Sequence, residues 1–174
     1  TTDGVNAGTF YDVGATTANP DFQGSNLGTF DITSDTLAFG GQQKTFKNNG
    51  TDVTSSSLFF RIFPNSSAPT GSFTEVGMPF QFDNVNETFG DQQWGGDQAG
   101  SFTVSGNVLS GLSPGNYTVE VYTRITTNGV DAGGEIFNNV GGSNYSANLT
   151  VIPEPSTALL AFLALGGLTL RRCH

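Results

Sequence analysis

The sequence predicts an all-β protein, an antiparallel β-sandwich followed by a short C-terminal hydrophobic helix. Apolar and polar residues alternate in short runs, and the helical period is nearly absent before residue 155. Clusters of Gly, Asn, Ser and Pro separate those runs at roughly 8–12 residues, the spacing of strands joined by tight turns. Only 36% of the 174 residues are hydrophobic, yet 15 are Phe, too many aromatics for a disordered chain. This length accommodates one domain with its own core and a tail, with the domain over 1–152 and the tail over 153–174.

The expected strands, in order, are GTFYDV (8–13), LGTFDIT (27–33), TLAF (36–39), SLFFRIF (57–63), GSFTEV (71–76) and MPFQF (78–82). They continue with GSFTVS (100–105), NVLS (107–110), NYTVEVYTRI (116–125) and NYSANLTV (144–151). In SLFFRIF, Leu58, Phe60 and Ile62 share one face, and Phe59, Arg61 and Phe63 share the other. In the long strand Tyr117, Val119, Val121, Thr123 and Ile125 point one way, while Thr118, Glu120, Tyr122 and Arg124 point back. Tyr145, Ala147, Leu149 and Val151 alternate with Ser146, Asn148 and Thr150 in the same manner. One apolar and one polar face per strand favours a sandwich.

The stretch LSGLSPGNYTVEVYTR (109–124) resembles the end of immunoglobulin-like and fibronectin-like modules. Pro114 and Gly115 set a turn, after which Tyr117 buries its ring and bonds backbone through its hydroxyl, as in a tyrosine corner. An immunoglobulin-like or jelly-roll-like sandwich is therefore expected. The chain from TFDITSDTLAF through SNYSANLTV also resembles a β-rich module of secreted bacterial surface proteins, a resemblance that carries no activity with it.

The formal net charge is −9. Before the tail the only basic residues are Lys44, Lys47, Arg61 and Arg124, so the basic footprint of a nucleic-acid binder is missing. Attraction of the domain to anionic lipid is equally disfavoured. Such a surface suits an extracellular protein among salt or neutral glycans.

His174 is the only histidine and Cys173 the only cysteine. A Ser-His-Asp or Cys-His constellation cannot be built in the domain, nor a zinc or copper site from these residue types. No Gly-rich loop precedes a helix, so phosphate cradles lack support. Paired carboxylates need only two facing acids, which leaves Glu75, Glu87, Glu120, Glu135 and the aspartates, although Glu120 reads as a solvated outward residue. No enzymatic activity and no cofactor are expected. Asp83, Asn84, Asn86, Glu87, Asp91 and Asp97 are hard oxygen donors for a structural calcium, without the EF-hand spacing.

Trp94, in the turn-rich DQQWGGDQ, reads as packing, as a lid over a sheet edge, or as a glycan-binding platform, and Tyr122 is a second glycan-contact candidate. Asn-x-Ser/Thr triplets begin at Asn49, Asn65, Asn86, Asn116, Asn144 and Asn148; composition alone accounts for them, and they mark accessible sites only in a glycosylating host.

The tail is VIPEPSTALLAFLALGGLTLRRCH. Pro153 and Pro155 end the last strand, and Ser156 or Thr157 caps an apolar helix from Ala158 to Leu170. Its 13 residues reach about 20 Å as a helix, short of the roughly 30 Å hydrocarbon core. Arg171 and Arg172 form a cytoplasmic stop-transfer flank that leaves the domain outside. Pro-Glu-Pro, an apolar helix and terminal arginines in this order resemble the PEP-CTERM sorting signal of Gram-negative bacteria. The resemblance implies an exosortase partner acting near Pro153, Glu154 and Pro155, then release or transfer to the cell surface. The C-terminal helix would anchor the chain in the inner membrane, either transiently before processing or permanently. The opening TTDGVNAGTF lacks Met and an apolar run, so either a secretory signal has been removed or the sequence starts within a longer chain.

Together these readings point to an exported, non-enzymatic surface or extracellular-matrix protein associated with biofilm or exopolysaccharide. The alternatives are a carbohydrate-binding module and a filament subunit that self-associates by donating residues 1–13 as a strand. In a host that has the exosortase, mass spectrometry of the exported protein should show the tail removed. Surface protein that retains Arg171 to His174 would refute the sorting expectation.

Overall fold

The structure, a computed structural model, describes residues 9–14, 19–46, 51–83, 91–96, 105–129 and 134–154. The expected C-terminal helix, with Pro155, Arg171 and Arg172, lies outside the described residues, as does most of GSFTVS. The described elements are β1 (Asn26–Asp31), β2 (Gln42–Phe46), β3 (Val53–Pro64), β4 (Thr74–Met78), β5 (Phe80–Asp83) and β6 (Asp91–Gly95). After these come β7 (Gly115–Thr127), β8 (Glu135–Asn138), a 3-10 turn at Val140–Gly142 and β9 (Tyr145–Ile152). Among the described residues the fold is all-β, in two sheets. One runs β1-β9-β7-β3-β4, with β8 also paired to β7, and the other runs β2-β6-β5.

The two longest strands make the spine. β3 and β7 pair antiparallel from Val53↔Thr127 to Pro64↔Tyr117, and β9 continues on the other side of β7 from Gly115↔Val151 to Val121↔Tyr145. The inward faces are those the alternation dictates. Leu58, Phe60, Val119, Val121, Ala147, Leu149 and Val151 join one buried cluster with Val76, Met78 and Trp94. Leu149 and Val119 have essentially no accessible surface. β1 joins the edge in parallel with β9, and its end is shaped by Asp31, whose carboxylate accepts from the Thr33 hydroxyl at 2.7 Å and the Thr33 amide at 2.8 Å. Those two bonds, the hydroxyl first, hold the Asp31 carboxyl below its usual value.

Tyr117 forms the expected corner. Its ring is buried, and its hydroxyl donates to the Ser113 carbonyl at 2.7 Å and accepts from the Ser113 amide at 3.2 Å. Pro114 makes the bend between those two residues, and Gly115 already opens β7. The corner therefore anchors the start of β7 to the segment that carries Leu109 into the core.

Several local expectations fail. MPFQF is not one strand: β4 ends at Met78 in the larger sheet and β5 begins at Phe80 in the smaller. Pro79 between them lacks the N–H needed to continue a ladder, so the chain changes sheets there. NVLS is a turn, in which the Asn107 side-chain oxygen accepts from the amides of Leu37 and Leu109. TLAF belongs to no strand, and its Leu37 and Phe39 carbonyls accept from the amides of Val108 and Ser105. Of the described residues of GTFYDV, only Asp12 makes a bridge, to Asp21. Three strands, β2, β6 and β8, fall where the alternation gives no signal.

Removing the Tyr117 hydroxyl with Tyr117→Phe should cost about 1 kcal/mol, and Leu149→Ala about 3 kcal/mol. In thermal unfolding the first should lower Tm by about 2–4 °C and the second by clearly more. A Tyr117→Phe protein at least as stable as the parent would show that the corner does not hold β7.

Candidate functional site

The outer face of the larger sheet is where functional side chains gather. Residues i and i+2 of a strand share a face, so β3 presents Ser57, Phe59, Arg61 and Phe63 there, and β7 presents Thr118, Glu120, Tyr122 and Arg124. The pairing sets Phe59 against Tyr122, Arg61 against Glu120 and Ser57 against Arg124. Glu75 comes from β4 opposite Phe59, and Phe137 from β8 opposite Arg124.

These residues form an aromatic row across the sheet. Phe59 and Tyr122 stack with centroids 4.7 Å apart and planes within 3° of parallel. Phe73 meets the Tyr122 ring edge-on at 4.9 Å, and Phe137 lies 6.2 Å away on a tilt. Arg124 lies over the Phe59 ring at 4.8 Å and Arg61 over Phe73 at 4.6 Å. Aromatic pairs contribute about 0.5–1.5 kcal/mol beyond burial, and cations over rings a similar amount. The row is thus rigid without belonging to the core.

Both arginines are also ion-paired. Arg61 bonds Glu120 at 2.7 and 2.8 Å, and Glu120 is only 8% exposed. Arg124 bridges Glu75 at 3.1 Å and Glu135 at 3.2 Å at the more open end. The outward reading of Glu120 holds for its direction but not for its solvation, because the carboxylate is held against Arg61, with the Asn144 amide donating to it at 3.5 Å. Burial pushes the Tyr122 phenol above its ordinary value; Arg124 opposes the shift, and Glu75 and Glu135 add to it. Tyr122 therefore favours the folded state below the ordinary tyrosine range, and that contribution is lost as pH rises through its raised value.

Trp94 is elsewhere and differently placed. It sits in β6, not in a turn, and is 6% exposed, with its indole N–H donating to the Thr45 hydroxyl at 3.1 Å. Phe80 packs edge-on against it at 5.4 Å. A ring so enclosed offers no face to a sugar, which corrects the platform reading and leaves the packing one. Gly95, with φ +63, explains the misleading Trp-Gly-Gly: a Cβ there would collide with the Gly41 carbonyl. Tyr122 is half-buried, with its ring faces taken by neighbours, whereas Phe137 beside it is 47% exposed. Nothing in the alternation singled out Phe137, because both Ile136 and Phe137 are exposed on a four-residue strand.

Of the calcium candidates, Asn84, Asn86, Glu87 and Asp97 lie outside the described residues, as does the side chain of Asp91. Among the described residues no group of three or more His, Cys, Asp or Glu is placed to hold a metal. No helix among them is long and apolar enough to cross a membrane. Pro153 and Glu154 are exposed just after β9 ends. A groove of about 380 Å³ lies beside Arg61, lined also by Phe60, Ile62, Thr70, Ser72 and Leu112.

Loss of one partner should rank these ion pairs. Glu120→Gln strands Arg61 in a mostly covered position and should cost about 2 kcal/mol, between the limits for surface and buried pairs. Glu135→Gln, at a half-exposed carboxylate, should cost less than about 1 kcal/mol. Urea denaturation of the two variants checks this, and the opposite ranking would show that the Arg61 pair does not organise the face.

Comparison with known proteins finds no matching family model, no matching curated protein and no matching solved structure.

Proposed function

We propose that the chain is an exported, non-enzymatic surface or matrix protein that holds extracellular polysaccharide on the outer face of its larger sheet. The observation that carries this reading is the aromatic row of Phe73, Phe59, Tyr122 and Phe137, clamped by two arginines and open at Phe137. Polysaccharides present apolar C–H faces between hydroxyls, and an exposed ring on a rigid support matches both the shape and the chemistry of such a ligand. The three glutamates of this face each serve an arginine, an arrangement suited to a fixed platform.

An immunoglobulin-like module is the finer reading of the fold. If β1 to β7 and then β9 are taken as strands A′, B, C, C′, D, E, F and G, the sheets read A′GFCC′ and BED. Tyr117 at the start of F supports it further. The sorting reading is supported by Pro153 and Glu154, which are exposed just past the end of β9, where a membrane-embedded exosortase would act. Export to the surface of a Gram-negative cell follows from that reading. Strand donation by residues 1–13 has less support: Tyr11 packs edge-on against Phe22 and Asp12 pairs with Asp21 in its own domain.

Affinity electrophoresis of the full chain in polysaccharide-containing gels tests the reading. The parent should be retarded, and Phe137→Ala should weaken binding by up to about tenfold, the equivalent of one aromatic contact, with Tyr122→Ala weakening it through loss of the ring that supports Phe137. Trp94→Phe should bind as the parent does. Full retention by a Tyr122→Ala/Phe137→Ala double variant would overturn the role of the aromatic row.

A further inference from the structure

Beyond the aromatic row, the same sheet face changes character toward the start of β7. Two of the Asn-x-Thr triplets, Asn116–Thr118 and Asn148–Thr150, lie on adjacent antiparallel strands. Spacing of two puts Asn and Thr on one face, and the register sets Asn116 against Thr150 and Thr118 against Asn148. The outcome is a checkerboard in which each Asn faces a Thr.

Its hydrogen bonds are ordered. The Thr150 hydroxyl donates to the Asn116 side-chain oxygen at 2.9 Å, and the Thr118 hydroxyl donates to the Asn65 oxygen at 2.8 Å, with the Asn148 oxygen at 3.4 Å. The Asn65 amide nitrogen in turn donates to the Asn148 oxygen at 3.4 Å. The Asn116 oxygen thus accepts from a hydroxyl and the Asn148 oxygen from the Asn65 amide, while the NH₂ groups of the exposed Asn116 and Asn148 bond no neighbour among the described residues. Asn65, Asn116 and Asn148 are all exposed, and Thr29 of β1 extends the row beside Thr150. The strip is therefore a fixed array of neutral donors, with hydroxyl oxygens between them as acceptors.

Charge narrows the ligand. Arg61 and Arg124 are both satisfied by glutamates of the same face, which carries more acids than bases. An anionic polymer would find no uncompensated cation here and would meet a chain of net charge −9.

We propose that the Asn65–Thr118–Asn148 and Asn116–Thr150 checkerboard is a contact strip for the hydroxyls of an uncharged polysaccharide, which lies along β7 from this strip to the aromatic row. The inference rests on the polysaccharide-holding reading above and specifies its ligand class. It also gives these Asn-x-Thr triplets a role as paired strand faces, in place of glycan acceptors.

The test is affinity electrophoresis of the full chain in gels containing laminarin, xyloglucan or dextran, against alginate or pectate, at low and high salt. The neutral polymers should retard the protein equally at both salt concentrations, and the uronate polymers should not. Asn116→Ala/Asn148→Ala should weaken neutral-polymer binding at least tenfold. Asn116→Asp/Asn148→Asp, which keeps the shape and the threonine bonds but removes the amide donors, should do the same with an unchanged Tm. Retention by alginate or pectate alone, abolished by salt, would overturn the neutral class while sparing the polysaccharide-holding reading. Undiminished neutral-polymer binding in both double variants would overturn the strip alone. Failure of every polymer to retard the parent would overturn both.

Discussion

The pairing of β3 with β7 is the constraint from which the rest of the structure follows. Because successive side chains alternate, a slip of one residue would exchange the two faces along the whole pair. In the observed register Leu58, Phe60 and Ile62 stand beside Thr123, Val121 and Val119 on the core side. The same register places Phe59 beside Tyr122 and Arg61 beside Glu120 on the other. Core and outer face are thus two consequences of one alignment. Tyr117 fixes its lower end through Ser113, and the irregularity between Val53 and Ser55 marks where strict pairing stops.

The outer face is more than the wet side of a sandwich. Phe59, Phe63 and Glu120 are as inaccessible as many core residues, covered by Arg61, Phe73 and Tyr122. Two partly covered charges are tolerable because Arg61 and Glu120 face each other in good geometry. Among the described residues no sheet lies above this second layer, and its exposed members, Phe137 and the Asn–Thr checkerboard, rest on the paired strands beneath. On the proposed reading, a ligand bound to such a surface would order few protein side chains, which limits that part of the entropic cost.

The strands that alternation reveals are those whose inward residues are apolar. β3, β7 and β9 belong to this group, and their faces were legible residue by residue. β2 and β6 were not, because Thr45 and Gln92 are buried beneath an apparently polar sequence, and Gln43 reaches across to accept from the Ser56 hydroxyl at 2.8 Å. Trp94 carries a turn signal because two glycines follow it, yet Gly95 ends a strand pressed against Gly41. β8 escaped notice because four residues give too short a window for any period. Of the candidate site, Tyr122 was visible as an outward aromatic, but Phe59, Phe73 and Phe137 became its neighbours only across strands.

By itself the sequence determined the all-β class, the long central strands with their two faces, the tyrosine corner, and the exclusion of histidine and cysteine chemistry from the domain. Those properties depend on residue identity and on spacing within a single segment, which a linear chain displays directly. Tertiary structure alone decided that Trp94 is enclosed, that Glu120 is covered by Arg61, and that Asn-x-Thr triplets 32 residues apart interlock as a checkerboard. Each of these turns on which strand lies beside which and in what register. That is settled by the simultaneous burial of all the apolar faces, and no single segment records it.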